Sequence, residues 1–220
     1  MKALHRPQPG PAGLDRYAHG RDQWEAVDGN DRAELWSKLG TMQSGLCAYC
    51  EGHLATLGQH IDHHWPRSRH PQGTFEWLNL LGSCDRPDSC GHHKDSAAAP
   101  TYPCGALVDP SKEDPDAYFV IRDSGRIEPR PGLSNADARK AEQTLDVLNL
   151  NLDKPRGGRS LCAERRRALQ FYLRTEPDIL AILEAFLPEE RAALVEREIA
   201  EACTTPFGSI IRHFFRQADR

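Results

Sequence analysis

The chain has 220 residues, enough for one sizeable core or a small domain with an accessory one, and two units are expected. At 39% hydrophobic and 27% charged it reads as a soluble, loop-rich globular protein without collagenous or disordered bias. A net charge of −4 excludes the overall basic excess of a protein that coats nucleic acid, and no apolar run approaches the roughly 20 residues that span a bilayer. The start, Met1 to Gly13, lacks the apolar segment of a signal peptide, so a cytoplasmic protein with no membrane partner is expected. In that reducing compartment seven cysteines point to metal binding rather than disulfides, and the odd count leaves Cys104, Cys162 and Cys203 as free thiols.

Residues 1 to 20, rich in Pro, Gly, His and Arg, favour an extended arm lying across another surface. From Asp22 to Met42 the apolar spacing predicts a helix carrying Leu35, Trp36 and Leu39, capped by Asp31, that delivers the chain to Cys47. Cys47-Ala48-Tyr49-Cys50-Glu51-Gly52 reads as a zinc knuckle, a tight turn that points two sulfurs at one metal, with Gly52 relaxing its exit. Gln59 to Trp65 can form a strand ending at Pro66, which cannot donate to a central ladder. Asn79 follows a short apolar stretch. Cys84 and Cys90 then lead into a helix with His92, His93 and Lys94 near its N-terminus, where anions such as phosphate are favoured.

Two close cysteine pairs suit one tetrahedral Zn²⁺, because each pair bites the metal from a turn and together they close the loop between them. Cys47, Cys50, Cys84 and Cys90 are therefore the expected ligands of a structural zinc with no open position. Seven of the ten histidines fall between His53 and His93, inside the stretch this metal would rigidify. On a regular strand Asp62 and His63 would point to opposite faces, and a bulge or the strand end is needed for both to face one site. Singly, His53, His60, His64 and His70 read as surface or supporting groups rather than ligands.

Further on, Thr101 to Pro115 is linker-like, and Tyr118–Ile121 and Arg126–Pro129 flank Asp123-Ser124-Gly125, a hairpin signal. Helical spacing covers Ala136–Leu148 after a Ser134/Asn135 cap, then Leu161–Leu173 after Gly157-Gly158, Pro177–Phe186, Pro188–Ala202 and Phe207–Arg216. From Lys154 to Arg174 seven basic side chains face one acid, Glu164, a segment able to hold phosphate. From Glu176 to Glu201 eight acids face two arginines, a solvated face or a protein-binding one.

These residues carry a resemblance. Cys-Ala-Tyr-Cys-Glu, Ile-Asp-His-x2-Pro-Arg-Ser from Ile61 to Ser68, Trp-x-Asn-Leu-Leu-x2-Cys from Trp77 to Cys84, then a second cysteine and a lysine, resemble the HNH nuclease superfamily with its ββα-metal site. Downstream, Leu107-Val108-Asp109-Pro110, Asp114-Pro115, Tyr118-Phe119 with Ser124-Gly125-Arg126-Ile127, and Thr144 to Asn151 (ending Leu148-Asn149-Leu150-Asn151) are similar to the PtuB-like HNH proteins of Septu and retron-associated anti-phage systems. Residues 20 to 165 are covered.

The resemblance implies a metal-dependent endonuclease cleaving DNA phosphodiester bonds. His63 would be the general base and Asp62 a ligand of a catalytic Mg²⁺ or Mn²⁺. Asn79 would brace the loop, orient the His63 ring or approach the metal. The third motif residue, usually His or Asn directly after the last cysteine, is here Gly91, so His92 or His93 is expected to reach the metal instead, while Lys94 would meet a phosphate. Implied partners are a PtuA-like ABC/AAA-type ATPase and, through the complex, a retron RNA/DNA element. The expected fold is α+β: a zinc-stabilised ββα-metal core with a β-hairpin and a C-terminal helical region, divided into 1–42 (arm and helix), 43–115 (nuclease core) and 116–220 (hairpin and helical scaffold or partner region). The rival reading is a non-catalytic zinc module that binds DNA or a protein partner.

Overall fold

The computed structural model describes residues 1–155, 158 and 160–218. Arg156 and Arg159 of the basic segment, and Gly157 of the expected break, lie outside the described residues. The protein is mixed α/β with two small sheets. Helix α1, Gly29–Gln43, is followed by the knuckle and a single turn, α2, Leu54–Leu57. Strands β1, Gln59–His63, and β2, Leu80–Cys84, pair antiparallel with Gln59 opposite Cys84 and His63 opposite Leu80, and α3, Cys90–Lys94, packs against β2. This arrangement is compatible with an HNH-like fold.

The first helix is capped three residues earlier than the sequence suggests. Asp28 accepts from the Asp31 backbone N–H at 2.9 Å, because the Asp31 carboxylate is drawn inward to the Arg16 guanidinium and to the Tyr17 hydroxyl at 2.7 Å. The helix ends by inserting Gln43, whose amide accepts from Gly82 N–H at 2.8 Å and donates to the Gly82 and Leu46 carbonyls at 2.9 and 2.7 Å. A buried side chain thus satisfies backbone that the wholly buried strand β2 would otherwise leave open.

The arm from Met1 lies across the protein's own surface. Arg6 donates to the Trp77 and Leu80 carbonyls at 2.8 and 2.9 Å, and Leu4 N–H to Pro110 at 2.7 Å. The Met1 ammonium meets Glu51 at 2.6 Å, and the same carboxylate accepts from Ser209 N–H at 3.0 Å. Burial pushes this carboxyl up, but the N-terminal ammonium outweighs it and holds Glu51 at about 2. Glu51, directly after the knuckle, ties the chain start to its last helix.

Beyond the core, β3, Phe119–Ile121, and β4, Ile127–Pro129, form the expected hairpin. Helices α4, Asn135–Val147, α5, Leu161–Thr175, α6, Ile179–Ala185, α7, Pro188–Ala202, and α8, Ser209–Ala218, follow. Leu148 to Asn151 act as a seam. Leu148 C=O accepts from Cys90 N–H at 2.8 Å, Asn149 donates to the Asp88 carbonyl at 2.7 Å, and Asn151 pairs with both backbone groups of Ile127 at 2.9 and 2.8 Å. Arg165, the basic-segment member turned inward, donates to Leu150 and Gly125 carbonyls at 2.8 and 3.0 Å. One apolar cluster runs from Met1 to Phe215.

Candidate functional site

The four cysteines of the two pairs are buried, and their sulfurs all lie within 4.8 Å of one another. Cys50 and Cys84 sulfurs are 3.8 Å apart, the separation of two thiolates at zinc bonds of about 2.3 Å in a tetrahedron. Backbone N–H groups of Gly52 and Cys84 each reach a sulfur at 3.4 Å. Burial raises the Cys47 thiol, yet the neighbouring cysteines outweigh it and hold Cys47 well below its ordinary value. Hydrogen bonding with Cys47 raises Cys84, and burial raises Cys90. Zn²⁺ would take all four sulfurs as thiolates in place of their protons, and the donor set fits it with no position left open. The knuckle turns at Glu51, with φ +66°, rather than at Gly52. Gly52 lies close under Leu57 instead: a Cβ there would lie 2.4 Å from the end of that side chain and 3.3 Å from the Cys50 sulfur.

His63 closes β1 and is buried. Its Nε2–H donates to the Thr74 carbonyl at 3.0 Å, so the basic nitrogen is Nδ1, and Trp24 packs edge-on to the ring at 4.7 Å. Burial lowers its pKa to about 4, so the ring is neutral at cellular pH. Asn79 does not spend its amide on the ring. Its Oδ1 accepts from Trp65 N–H at 2.8 Å and its Nδ2 donates to the Trp65 and Gly73 carbonyls, each at 3.1 Å. By bracing this loop beside Thr74, Asn79 fixes the carbonyl that orients His63.

Asp62, the residue before His63, takes different partners. Tyr49 O–H donates to its Oδ2 at 2.5 Å, and the Lys94 ammonium lies 3.2 Å from Oδ1. Burial pushes the carboxyl up, but Lys94 outweighs it and keeps Asp62 ionised. Lys94 is buried too, with Nζ donating to the His63 carbonyl at 3.0 Å and to Asp95 at 2.6 Å. It lines a cavity of about 590 Å³ shared with Arg67, Arg69 and Tyr102. Its charge is committed to internal carboxylates.

The two histidines after Gly91 are placed apart from Asp62. His93 Nδ1–H donates to the Val147 carbonyl at 2.8 Å, and His92 Nε2 lies 3.4 Å from Asp85 Oδ1. Gly91 explains itself by crowding: a Cβ would sit 2.6 Å from Asp62 Oδ1 and 2.7 Å from His60 Nε2. The imidazoles that act on this carboxylate are instead those of His60, two residues before Asp62, and His64, two after it. Asp62 Oδ1 makes no hydrogen bond, so an ionised, buried oxygen remains open as a donor for a divalent ion. Lys94 competes for it. Thr74, Tyr49 and Trp24 were not anticipated as parts of the site. Only Tyr49, inside the knuckle motif, had a position in sequence that could have drawn attention to it.

No protein-family model matches the chain. A curated relative, "Retron Vc95 putative HNH endonuclease" of Vibrio cholerae serotype O1 biovar El Tor, is 25% identical over 121 residues, 52% of this chain and 56% of that protein. The chain thus spans about half the length of the curated relative it matches. The similarity suggests a nuclease of the HNH kind. No helix among the described residues is long and apolar enough to cross a membrane.

Proposed function

We propose that this protein is a metal-dependent HNH endonuclease that cleaves DNA phosphodiester bonds, with His63 as the general base. The supporting observation is the His63 ring: neutral, held through Nε2 by Thr74, with Nδ1 left as the basic nitrogen on a strand whose pairing partner ends in the cysteine cage. A neutral imidazole fixed this way can accept a proton from water attacking phosphorus. Asn79 and Thr74 hold the orientation, and the cage holds β2. Asp62, with its unbonded Oδ1, would hold Mg²⁺ or Mn²⁺, and His92 or His93 could join it only by leaving its present partner. Such an ion, when bound, polarises the phosphoryl oxygen and stabilises the leaving oxyanion. Arg67 and Arg69, beside Lys94 in the cavity, are positioned to receive a phosphate that Lys94 alone would have met.

The narrower reading, a PtuB-like effector acting with a PtuA-like ATPase and a retron RNA/DNA element in anti-phage defence, rests on the downstream motifs, above all the seam from Leu148 to Asn151. The seam joins the zinc loop to the hairpin and α5, so those residues have a structural reason to occur together. One observation favours the rival, a non-catalytic zinc module: the Asp62–Lys94 ion pair is what a site without a divalent ion would contain.

The deciding experiment is plasmid cleavage with Mg²⁺ or Mn²⁺ by the parent and by His63→Ala, each with and without the companion ATPase. Loss of cleavage by about 10²-fold or more in the variant, with its zinc content and folding retained, is expected. Equal cleavage by the variant would remove His63 as the base. Absence of cleavage by folded, zinc-loaded parent in every arm would favour the binding module.

A further inference from the structure

We propose that His60, Asp85 and His92 form a second metal site, outside the cysteine cage, for a borderline divalent transition ion such as Zn²⁺ or Co²⁺. Their donor atoms all lie within 4.8 Å of one another. His60 Nδ1 is 2.9 Å from Asp85 Oδ1, and His92 Nε2 is 3.4 Å from the same oxygen. Donors sharing one ion at bonds of about 2.1 Å sit roughly 3.0 to 3.5 Å apart. A hydrogen-bonded cluster accounts for the shorter distance and poorly for the longer one, which is beyond the usual N–H···O range. A shared ion accounts for the longer distance and needs only about 0.1 Å of expansion in the shorter one.

The site is assembled rather than incidental. Each ligand comes from a different piece of the core: His60 from β1, Asp85 from the residue after β2, His92 from α3. Two of them stand beside cage ligands, Asp85 directly after Cys84 and His92 two residues after Cys90, so the structural zinc would hold them in place. The third is confined by glycines. A Cβ on Gly91 would meet His60 Nε2 at 2.7 Å, so the ring can back against the helix with Nδ1 outward, and a Cβ on Gly58 would meet Asp85 Oδ2 at 2.5 Å. The two imidazole rings lie 4.1 Å apart with both addressing one carboxylate oxygen. Side-chain exposures of 26%, 42% and 47% for His60, Asp85 and His92 leave the remaining coordination positions open to water.

The donor chemistry selects the ion. Two imidazoles and one carboxylate suit Zn²⁺, Co²⁺ or Ni²⁺, whereas Mg²⁺ prefers an all-oxygen octahedron. The site uses neither Asp62 nor His63, but it claims His92, which could otherwise join Asp62 at a catalytic ion.

The test is titration of the full-length, zinc-loaded chain with Co²⁺, followed by visible absorption and by metal content after desalting. The parent is expected to take up one Co²⁺ with the weak d–d bands of nitrogen and oxygen ligands while retaining its cage zinc. His92→Ala, at an exposed position that tolerates truncation, should lose that ion and keep the zinc. His60→Ala should behave alike. Uptake by His92→Ala equal to the parent overturns the site, as does uptake seen only as intense thiolate-to-cobalt bands, or no uptake at millimolar Co²⁺. Because the readout is bound metal, these outcomes separate from any failure of DNA cleavage.

Discussion

The cysteine cage and the Asp62 pocket are both buried and both draw on the knuckle and α3, yet their charge is balanced in opposite ways. The cage brings four sulfurs together, and the buried Arg165 guanidinium that acts on Cys50 and Cys90 is hydrogen-bonded to the Gly125 and Leu150 carbonyls rather than to a sulfur. The pocket carries its cation within the chain, since Lys94 reaches Asp62 from the end of α3. Burying a charge is costly unless it is paired, and these are two solutions to the same penalty. An ion from solution would complete the first, and the second is already balanced within the chain, where a divalent ion would have to displace Lys94.

The comparison breaks most visibly if zinc is removed. Chelation, or Cys84→Ser, should lower the unfolding free energy by several kcal/mol, since a structural metal site contributes its binding energy to folding. Thermal unfolding with and without chelator measures this, and an unchanged midpoint would mean the cage holds no metal. The pocket should ignore the chelator and respond to its own partner. Lys94→Met leaves a buried carboxylate unpaired and should cost about 3 to 5 kcal/mol in urea unfolding, with much of the loss recovered in the Asp62→Asn/Lys94→Met double variant. Equal costs for single and double variants would show that the pair is not coupled.

A smaller effect sharpens the contrast at the end of β1. His63 is buried neutral with a pKa of about 4, below its unfolded value of about 6.5. The unfolded chain therefore binds more protons in between, so stability is fully present above pH 6.5 and falls as the pH drops toward 4. The loss is about 3 kcal/mol at most. Denaturant unfolding from pH 7 to 4 measures the slope, and His63→Gln should lack this component of it. An identical slope in the variant would assign the acid sensitivity to other groups.

Much of this architecture was legible because short spacings determine it. The Cys47-x2-Cys50 turn, the Asp-Ser-Gly hairpin and a serine before α4 are local devices whose geometry follows from a few dihedral angles, and the knuckle, β3–β4 and α4 stand where those signals place them. Asp28 against Asp31 marks the limit of such reading. Either acid can cap α1, and the choice falls to Asp28 because Arg16 and Tyr17 claim the other.

By itself, then, the sequence located the four cysteines that come together and the order of the elements around them, and it drew attention to Asp62 and His63. Tertiary structure decided what surrounds them. Helix α3 is five residues long, too short to set its own phase, and its start is pinned by the Cys90 N–H bond to Leu148, far along the chain. That distant bond helps decide that His93 turns to Val147, that Lys94 is buried on Asp62, and that His92 joins His60 and Asp85. A helix advances about 100° per residue, so one anchor from elsewhere in the fold redistributes every side chain on it.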